Sequence, residues 1–397
     1  MIRDFNMAAV WAGLTAFVWY VFGALPLHLE VAGQLGLSAG QASSWIFVIW
    51  FSGAISSIAL TIYYRLPIPI TWTIPGLIYL GTLAGQFSFA EIVGANLLAG
   101  IAILVLGLIG IGERIMAWLP LPIVMGMFGG SILVYVTRMV AASVADVLVA
   151  GITLAAYLVG RFVTSPRVPP MGLAVVVGGV AVFLFGETAP EAVSWALPDL
   201  AFPGISFTFP AFLAVTLPMI VLAMGLGNVQ GLGFLMSQDY KVPVTPITVA
   251  VGLNSVVNAL LGGHAATVAR TGAAILAGPE AGPKRTRYWA NLIAATLTIS
   301  IALGAGTLVS LMTVLPRTFV VTLAGLAILS SLQSAFESAF GGKLRFGALA
   351  ALAVAATPFA VFGITSAFWA VLAGIAASFM AERQELYRYW RGDKGEN

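Results

Sequence analysis

Ile115-Met-Ala-Trp-Leu-Pro-Leu-Pro-Ile-Val-Met-Gly-Met-Phe-Gly-Gly-Ser-Ile-Leu133 and Leu311-Met-Thr-Val-Leu-Pro-Arg-Thr-Phe-Val-Val-Thr-Leu-Ala-Gly-Leu-Ala-Ile-Leu329 align without a gap. Met116 falls on Met312, Pro120 on Pro316 and Gly129 on Gly325, all at an offset of 196 residues. The same offset joins two broken apolar stretches. It sets Gly76 of Pro67-Ile-Pro-Ile-Thr-Trp-Thr-Ile-Pro-Gly76 on Gly272 of Gly262-Gly-His-Ala-Ala-Thr-Val-Ala-Arg-Thr-Gly272, and Leu80 on Leu276. Independent matches at one spacing point to an internal duplication.

The 397 residues around these copies are 60% hydrophobic and 8% charged, with a mean hydropathy of +1.01. A soluble chain carries about a quarter charged residues, so the composition excludes an ordinary soluble protein and leaves no room for a large soluble domain. At roughly 20 residues per span, the apolar windows predict an all-α polytopic membrane protein. Fourteen segments are expected, near 7–28, 42–63, 68–84, 91–111, 115–137, 144–162, 171–186, 208–230, 245–261, 265–278, 287–304, 308–335, 345–361 and 363–381. The first, from Met7 to Leu27, is too long for a signal-peptide core and reads as a span. Segments 3 and 10 are the short, Pro- and Gly-broken ones, each expected to start extended and then turn helical. Seven spans separate the copies, and an odd number reverses direction, so the expectation is a 7+7 inverted repeat, an architecture of secondary transporters.

Charge supports the threading. The net charge is only +3, and the cations stand singly at the ends of apolar runs with no basic patch, so nucleic acid is not an expected partner. Lys and Arg gather on the cytoplasmic side of short loops. With the N-terminus inside, that side takes Arg3, Arg65, Arg114, Arg161, Arg167, Lys241, Lys284, Arg285, Arg287, Lys343, Arg345 and the tail from Arg383 to Lys394, while Glu30, Glu91, Glu187, Glu191 and Asp199 fall outside. Arg138 and Arg317 sit near outer ends and go against the rule. An even number of spans, with both termini cytoplasmic, is the expectation.

Paired segments broken at mid-membrane mark a transporter's binding site, because a helix that begins there presents free backbone N–H groups and the positive end of its dipole to an anion. The helix starts are expected near Pro75-Gly76 and Thr271-Gly272, with hydroxyls from Thr73, Thr267 and Thr271. The alternative is that these Gly and Pro residues only let helices pack closely. Arg270 is the single cation placed deep in a span, where burial costs about 2.5–3.5 kcal/mol on insertion scales. It would be neutralised by an anionic substrate, or by a protein acid such as Glu30, Glu337 or Asp146. Asn228 and Gln230, in the glycine-rich eighth segment, are candidates for the cavity wall or for helix-to-helix bonding. Trp72, Tyr20, Trp19 and Phe22 are candidates to stack on a flat ring. For proton coupling the candidates are His264 and then Glu30 with His28. There is no cysteine, no nucleotide-binding loop and no catalytic or metal-binding motif, so neither an enzyme nor any cofactor or metal is expected.

The runs Gly227-Asn-Val-Gln-Gly-Leu-Gly-Phe-Leu-Met-Ser-Gln238, Ile247-Thr-Val-Ala-Val-Gly-Leu-Asn-Ser-Val-Val-Asn258, Gly262 to Gly272 and Ala277-Gly-Pro-Glu-Ala-Gly-Pro283 resemble the benzoate:proton symporter (BenE) family. Ser43-Ser-Trp45, Arg65-Leu-Pro67 and Thr71-Trp-Thr-Ile-Pro-Gly76 agree less tightly, so the resemblance spans essentially the whole chain. It implies the seven-plus-seven fold of uracil permease and the sulfate-type anion transporters. A core would comprise 1–111 and 207–304, a gate 112–186 and 305–382, with an extracytoplasmic loop 187–206 and a tail 383–397. It implies further a site at the facing ends of segments 3 and 10, with Arg270, Thr271, Gly272, Thr267, Trp72, Thr73, Gly76, Asn228, Gln230 and Tyr20 around the substrate, and elevator-like movement of core against gate. Nucleobase relatives carry acids in the eighth and tenth segments, where this chain has Gly227 and Arg270, which favours an aromatic carboxylate. The expected function is import of benzoate or a similar aromatic carboxylate with protons across a bacterial inner membrane. Transport of another small anion, an uncoupled anion channel and a homo-oligomeric assembly are left open.

Overall fold

Helix α1 (Met7–Gln34) starts where the Asn6 side chain accepts the N–H of Ala9 at 2.9 Å. It does not stop at residue 28. It runs through Pro26 for two further turns, because the polar residues there are satisfied within the helix: the Nδ1–H of His28 donates to the Ala24 carbonyl at 2.8 Å, and Gln34 donates to Glu30 at 2.6 Å. His28 and Glu30 are therefore buried helix residues, and Glu30 is not the loop acid that the charge count made it. The computed structural model describes residues 5–110, 120–163, 170–186 and 195–391. Residues 115–119 of the fifth segment, and Arg3, Arg114, Arg167, Glu187, Glu191 and Lys394 of the topology argument, lie outside the described residues.

Capping boxes open α2 (Ala39–Tyr64) at Ser38 and Gln41 and α4 (Phe89–Ile109) at Ser88 and Glu91, each joining side chain and backbone reciprocally. Between them come strand β1 (Ile70–Trp72) and the short α3 (Ile74–Thr82). Then follow α5 (Leu121–Ala145), α6 (Val147–Val163), α7 (Pro170–Phe185), α8 (Phe209–Ser237), α9 (Val244–Leu260), strand β2 (Ala266–Val268) and the short α10 (Arg270–Ala277). The chain closes with α11 (Tyr288–Leu303), α12 (Ala305–Val314), α13 (Arg317–Phe340), α14 (Arg345–Ala356), the hairpin β3 (Ala360–Val361) and β4 (Ile364–Thr365), α15 (Ser366–Ala381) and α16 (Arg383–Arg391). The apolar run 308–335 is thus not one span. Pro316 ends α12 and serves as the N-cap position of α13, and the helix axis turns by 65° between the stretches 284–303 and 305–311. The window 345–361 is likewise cut short, since α14 stops at Ala356 and a hairpin leads into α15.

Among the described residues, six helices, α1, α2, α4, α5, α8 and α13, are each long and apolar enough to cross a bilayer, and the bent pair α11–α12 makes a seventh if it is one span. The remaining apolar helices, α6, α7, α9, α14 and α15, run 10–17 residues, so helix length alone does not yield fourteen spans. The protein is a multi-pass membrane protein. At its centre β1 and β2 pair antiparallel, Ile70 with Val268, Thr71 with Thr267 and Trp72 with Ala266. Thr73 N–H donates to the Ala265 carbonyl and Ala269 N–H to the Pro69 carbonyl, at 3.0 and 2.9 Å. Shifting partners by 196 residues exchanges Ile70–Val268 with Trp72–Ala266 and the Thr73–Ala265 bond with the Ala269–Pro69 bond, and leaves Thr71–Thr267 as it is. The starts of α3 and α10, and of α5 and α13, are also 196 residues apart. Around the strands α4 packs on α9, α2 on α11 and α1 on α11, while α5 packs on α13 and α14.

Candidate functional site

Because β1 and β2 run antiparallel, α3 and α10 continue from opposite ends of the pair. Beside them α1, α5, α8 and α13 enclose a cavity of about 330 Å3, within the usual range of small-molecule sites. One wall is aromatic: Trp19, Tyr20, Trp72 and Phe128, with Met125 beside them. Tyr20 stands edge-on to both Trp19 and Trp72, ring centroids 5.9 and 6.4 Å away. The other wall is polar, with Gln230, Arg270, Thr271 and the serines Ser330, Ser331 and Ser334 of α13.

The two helix starts are not equivalent. Thr73 caps α3 by accepting the N–H of Gly76 at 3.2 Å, so those two groups satisfy each other behind the cavity wall. The residue before α10 is Ala269, which has no side chain to cap with. The first turn of α10 therefore keeps its N–H groups and dipole for something else. The Tyr20 hydroxyl and the Trp72 indole nitrogen are buried without a hydrogen-bond partner, and buried donors in that state need an acceptor. Close backbone approach shapes the same corner. A side chain at Gly272 would strike the Tyr20 hydroxyl, and one at Gly227 would strike Thr267, whose hydroxyl donates to the Ala223 carbonyl at 3.0 Å.

Arg270 is exposed to the opening of the cavity. It makes only two long bonds, to Gln230 Oε1 and Ser334 Oγ, both 3.4 Å. The acids weighed as its partners are engaged elsewhere: Glu30 with Gln34, Asp146 with the Thr318 hydroxyl at 2.6 Å and the Val149 N–H at 3.0 Å, and Glu337 with Gln333 at 2.7 Å. Glu337 shares a wider opening with Arg270, Gln230, Ser334 and Ser237. Among the described residues no carboxylate forms an ion pair with Arg270.

Asn228 does not line the cavity. Its Oδ1 accepts the N–H of Val268 at 2.9 Å and the Thr267 hydroxyl at 3.3 Å, so it pins β2. It sits at the end of a π-helical stretch of α8, residues 221–228, whose wider turns present it to the strand. His264 also lies behind the wall. Its Nδ1 accepts the Trp45 indole N–H at 3.0 Å, leaving a neutral ring with its proton on Nε2. His28, bonded through Nδ1–H, has a free lone pair on Nε2. The two rings are 6.2 Å apart, and neither Nε2 has a partner. His28 lies 5.0 Å from the Trp72 ring, which lines the cavity. Glu30 belongs to a different place: through Gln34 it connects to the Tyr135 hydroxyl of α5, which donates to Gln34 Oε1 at 2.9 Å.

The structure thus brings Tyr20, Trp72, Gln230, Thr267, Arg270 and Thr271 together, and sets Thr73, Gly76, Gly272, Asn228 and His264 around them as support. Sequence reasoning missed Phe128, Met125 and the α13 serines. The run Ser330-Ser331-x-x-Ser334 was a visible signal, since such hydroxyls on one helix face are sparse in apolar spans.

Comparison with known proteins gives the following. The family model described as benzoate membrane transport protein matches residues 3–380. A benzoate membrane transport protein from Acinetobacter baylyi is 28% identical over 381 residues, covering 95% of this chain and 96% of that protein. The inner membrane protein YdcO of Escherichia coli is 28% identical over 349 residues, covering 87% and 88%. Among solved structures, the transmembrane domain of a cyanobacterial bicarbonate transporter, BicA, superposes with a TM-score of 0.56 at 17% identity, over 96% of this chain and 97% of that one. The murine Solute Carrier 26 family member A9 anion transporter, in its inward-facing state, gives 0.64 at 14% identity, over 97% and 69%. These two likenesses establish a membrane-transporter fold.

Proposed function

The chain belongs to the benzoate membrane transport protein family, and we propose that it is a secondary active transporter that imports benzoate or a similar aromatic carboxylate together with protons. One observation carries the substrate class. The cavity has an aromatic wall for a ring and, at its other side, a guanidinium without a protein carboxylate beside the uncapped start of α10. A carboxylate at that end would take the Arg270 fork in a bidentate pair, the free N–H groups of α10 and the Tyr20 hydroxyl, while its ring packs against Trp72 and Phe128.

Alternating access is the proposed mechanism. The fourteen-span, seven-plus-seven inverted repeat is supported by the strand register and helix starts that recur at 196 residues. In this reading segments 1–4 and 8–11 form a core that carries the site, and segments 5–7 and 12–14 form a gate. The cavity opens beside Ser237 and Glu337 toward the C-terminal end of α13. The Tyr135 to Gln34 bond ties gate to core at the other end. With both termini in the cytoplasm of a bacterial inner membrane, that is an inward-open state. His264 with His28, and Glu30, are the proposed proton sites. The first pair is supported by its complementary free N–H and lone pair behind Trp72, and Glu30 by its place in the bond that joins core to gate.

The test is uptake of radiolabelled benzoate into proteoliposomes, with and without an inward proton gradient, competed by uracil, sulfate and fumarate. Gradient-stimulated uptake blocked by aromatic carboxylates alone is expected. Competition by sulfate or uracil would reject the substrate class, and uptake indifferent to the gradient would reject the coupling and favour an uncoupled anion pathway.

A further inference from the structure

A second cavity, of about 740 Å3, lies at the other end of α13 and is lined by Gln34, Tyr135, Arg138, Arg317, Thr365 and Ser366. The substrate cavity meets α13 at Ser330 to Ser334, about 20–25 Å further along the axis at 1.5 Å per residue. Arg138 and Arg317 are the two cations that go against the charge rule for topology. Both are exposed, and among the described residues neither has a hydrogen bond or an ion pair. Cations kept where topology disfavours them, and where no protein acid holds them, have their use in what the cavity admits.

Two further features of the lining have the same sign. Helices α13 and α15 both begin here, at Arg317 and Ser366, and neither start is capped by a side chain, so two positive dipole ends face the space. The Thr365 hydroxyl, 2% exposed, also lines the cavity, beside the Tyr79 hydroxyl. Asp146 accepts from the Thr318 hydroxyl and the Val149 N–H, and Glu30 from Gln34; among the described residues neither acid forms an ion pair with Arg138 or Arg317.

We propose that this cavity is a second anion site, an entry vestibule in which Arg138 and Arg317 gather small organic carboxylates before the core opens to receive them. It rests on the transport reading above and deepens it, placing the approach of the anion on the face opposite the Arg270 opening. The Tyr135 to Gln34 bond is its floor. Two unlike positions for guanidinium follow: Arg270 holds the anion at the site, and Arg138 with Arg317 raise its local concentration at the door.

The chain has no cysteine, so a single Thr137→Cys on the exposed lining is the sole thiol and reports the local potential. Its rates of reaction with an anionic and a cationic methanethiosulfonate reagent are measured in the otherwise unaltered protein. They are measured again in R138Q/R317Q and R138K/R317K, each checked for monodispersity. The anionic-to-cationic rate ratio is expected to fall on the order of tenfold in the glutamine pair, to persist in the lysine pair, and to shrink in high salt. In transport, without Thr137→Cys, R138Q/R317Q should raise KM for benzoate several-fold from the vestibule face while Vmax and the KM from the opposite face hold. A rate ratio indifferent to both arginines overturns the proposal, as does an equal rise in KM on both faces. Failure of the unsubstituted protein to carry benzoate at all would refute the functional reading instead, and the thiol ratio would still decide whether the vestibule attracts anions.

Discussion

Arg270 was conspicuous in the sequence as a lone cation in an apolar run, and the structure explains how the chain tolerates it. It stands at the first position of α10, open to water on one side, with only Gln230 and Ser334 at 3.4 Å. Removing it leaves no protein carboxylate unpaired. Arg270→Ala should therefore stay folded and monodisperse while benzoate affinity drops by about 1.5–3 kcal/mol, the range for a hydrogen bond to a charged group, or roughly 10- to 150-fold. Arg270→Lys should recover part of this, since it keeps the charge and loses the fork. Tyr20 allows a prediction with two opposite signs. Its hydroxyl is buried and unpaired, so Tyr20→Phe removes an unmet donor: the melting temperature should hold or rise while benzoate binding weakens. A fall in both would mean that the hydroxyl is structural. Other residues were less legible. Glu30 looked like a loop acid because a proline and two polar residues in close succession imitate a helix end, and Asn228 looked like a cavity residue because sequence cannot say which way an amide points.

The strand pair is the element on which the site depends. Each strand is three residues long, too short to register as β in any pattern, yet the Pro and Gly breaks around segments 3 and 10 signalled that helix fails there. What the breaks could not signal is the partner. The β1–β2 register is fixed across the molecule by main-chain bonds and by Asn228, which takes the buried Val268 N–H. Asn228→Leu strands that donor and should cost about 1–3 kcal/mol, read as a lower melting temperature in detergent together with weakened benzoate binding. The α12–α13 break teaches the opposite lesson. Pro316 was plainly visible, but an unbroken apolar run on both sides made one long span the simpler reading, and only the structure shows α12 ending at Val314 and α13 starting afresh at Arg317.

For the assembled protein, the proposed movement requires gate and core to separate at Tyr135 and Gln34 before the site can face the other way. Both side chains replaced by cysteine and joined by a short bifunctional thiol reagent should hold the inward-open arrangement. Uptake should then stop while benzoate still binds from the open side. Continued uptake after complete joining would exclude the movement. The proposed repeat was legible from a few positions that match at one offset, most of them the prolines and glycines that shape the backbone. The two cavities were not legible, since each is walled by residues from several helices far apart in the chain. The measurement that decides most is calorimetric titration of benzoate into the purified protein and into Arg270→Ala, repeated with uracil and with sulfate present. The account predicts saturable benzoate binding, unaffected by uracil or sulfate and at least tenfold weaker in the variant. Equal affinity in the two proteins, or displacement by uracil, would contradict it.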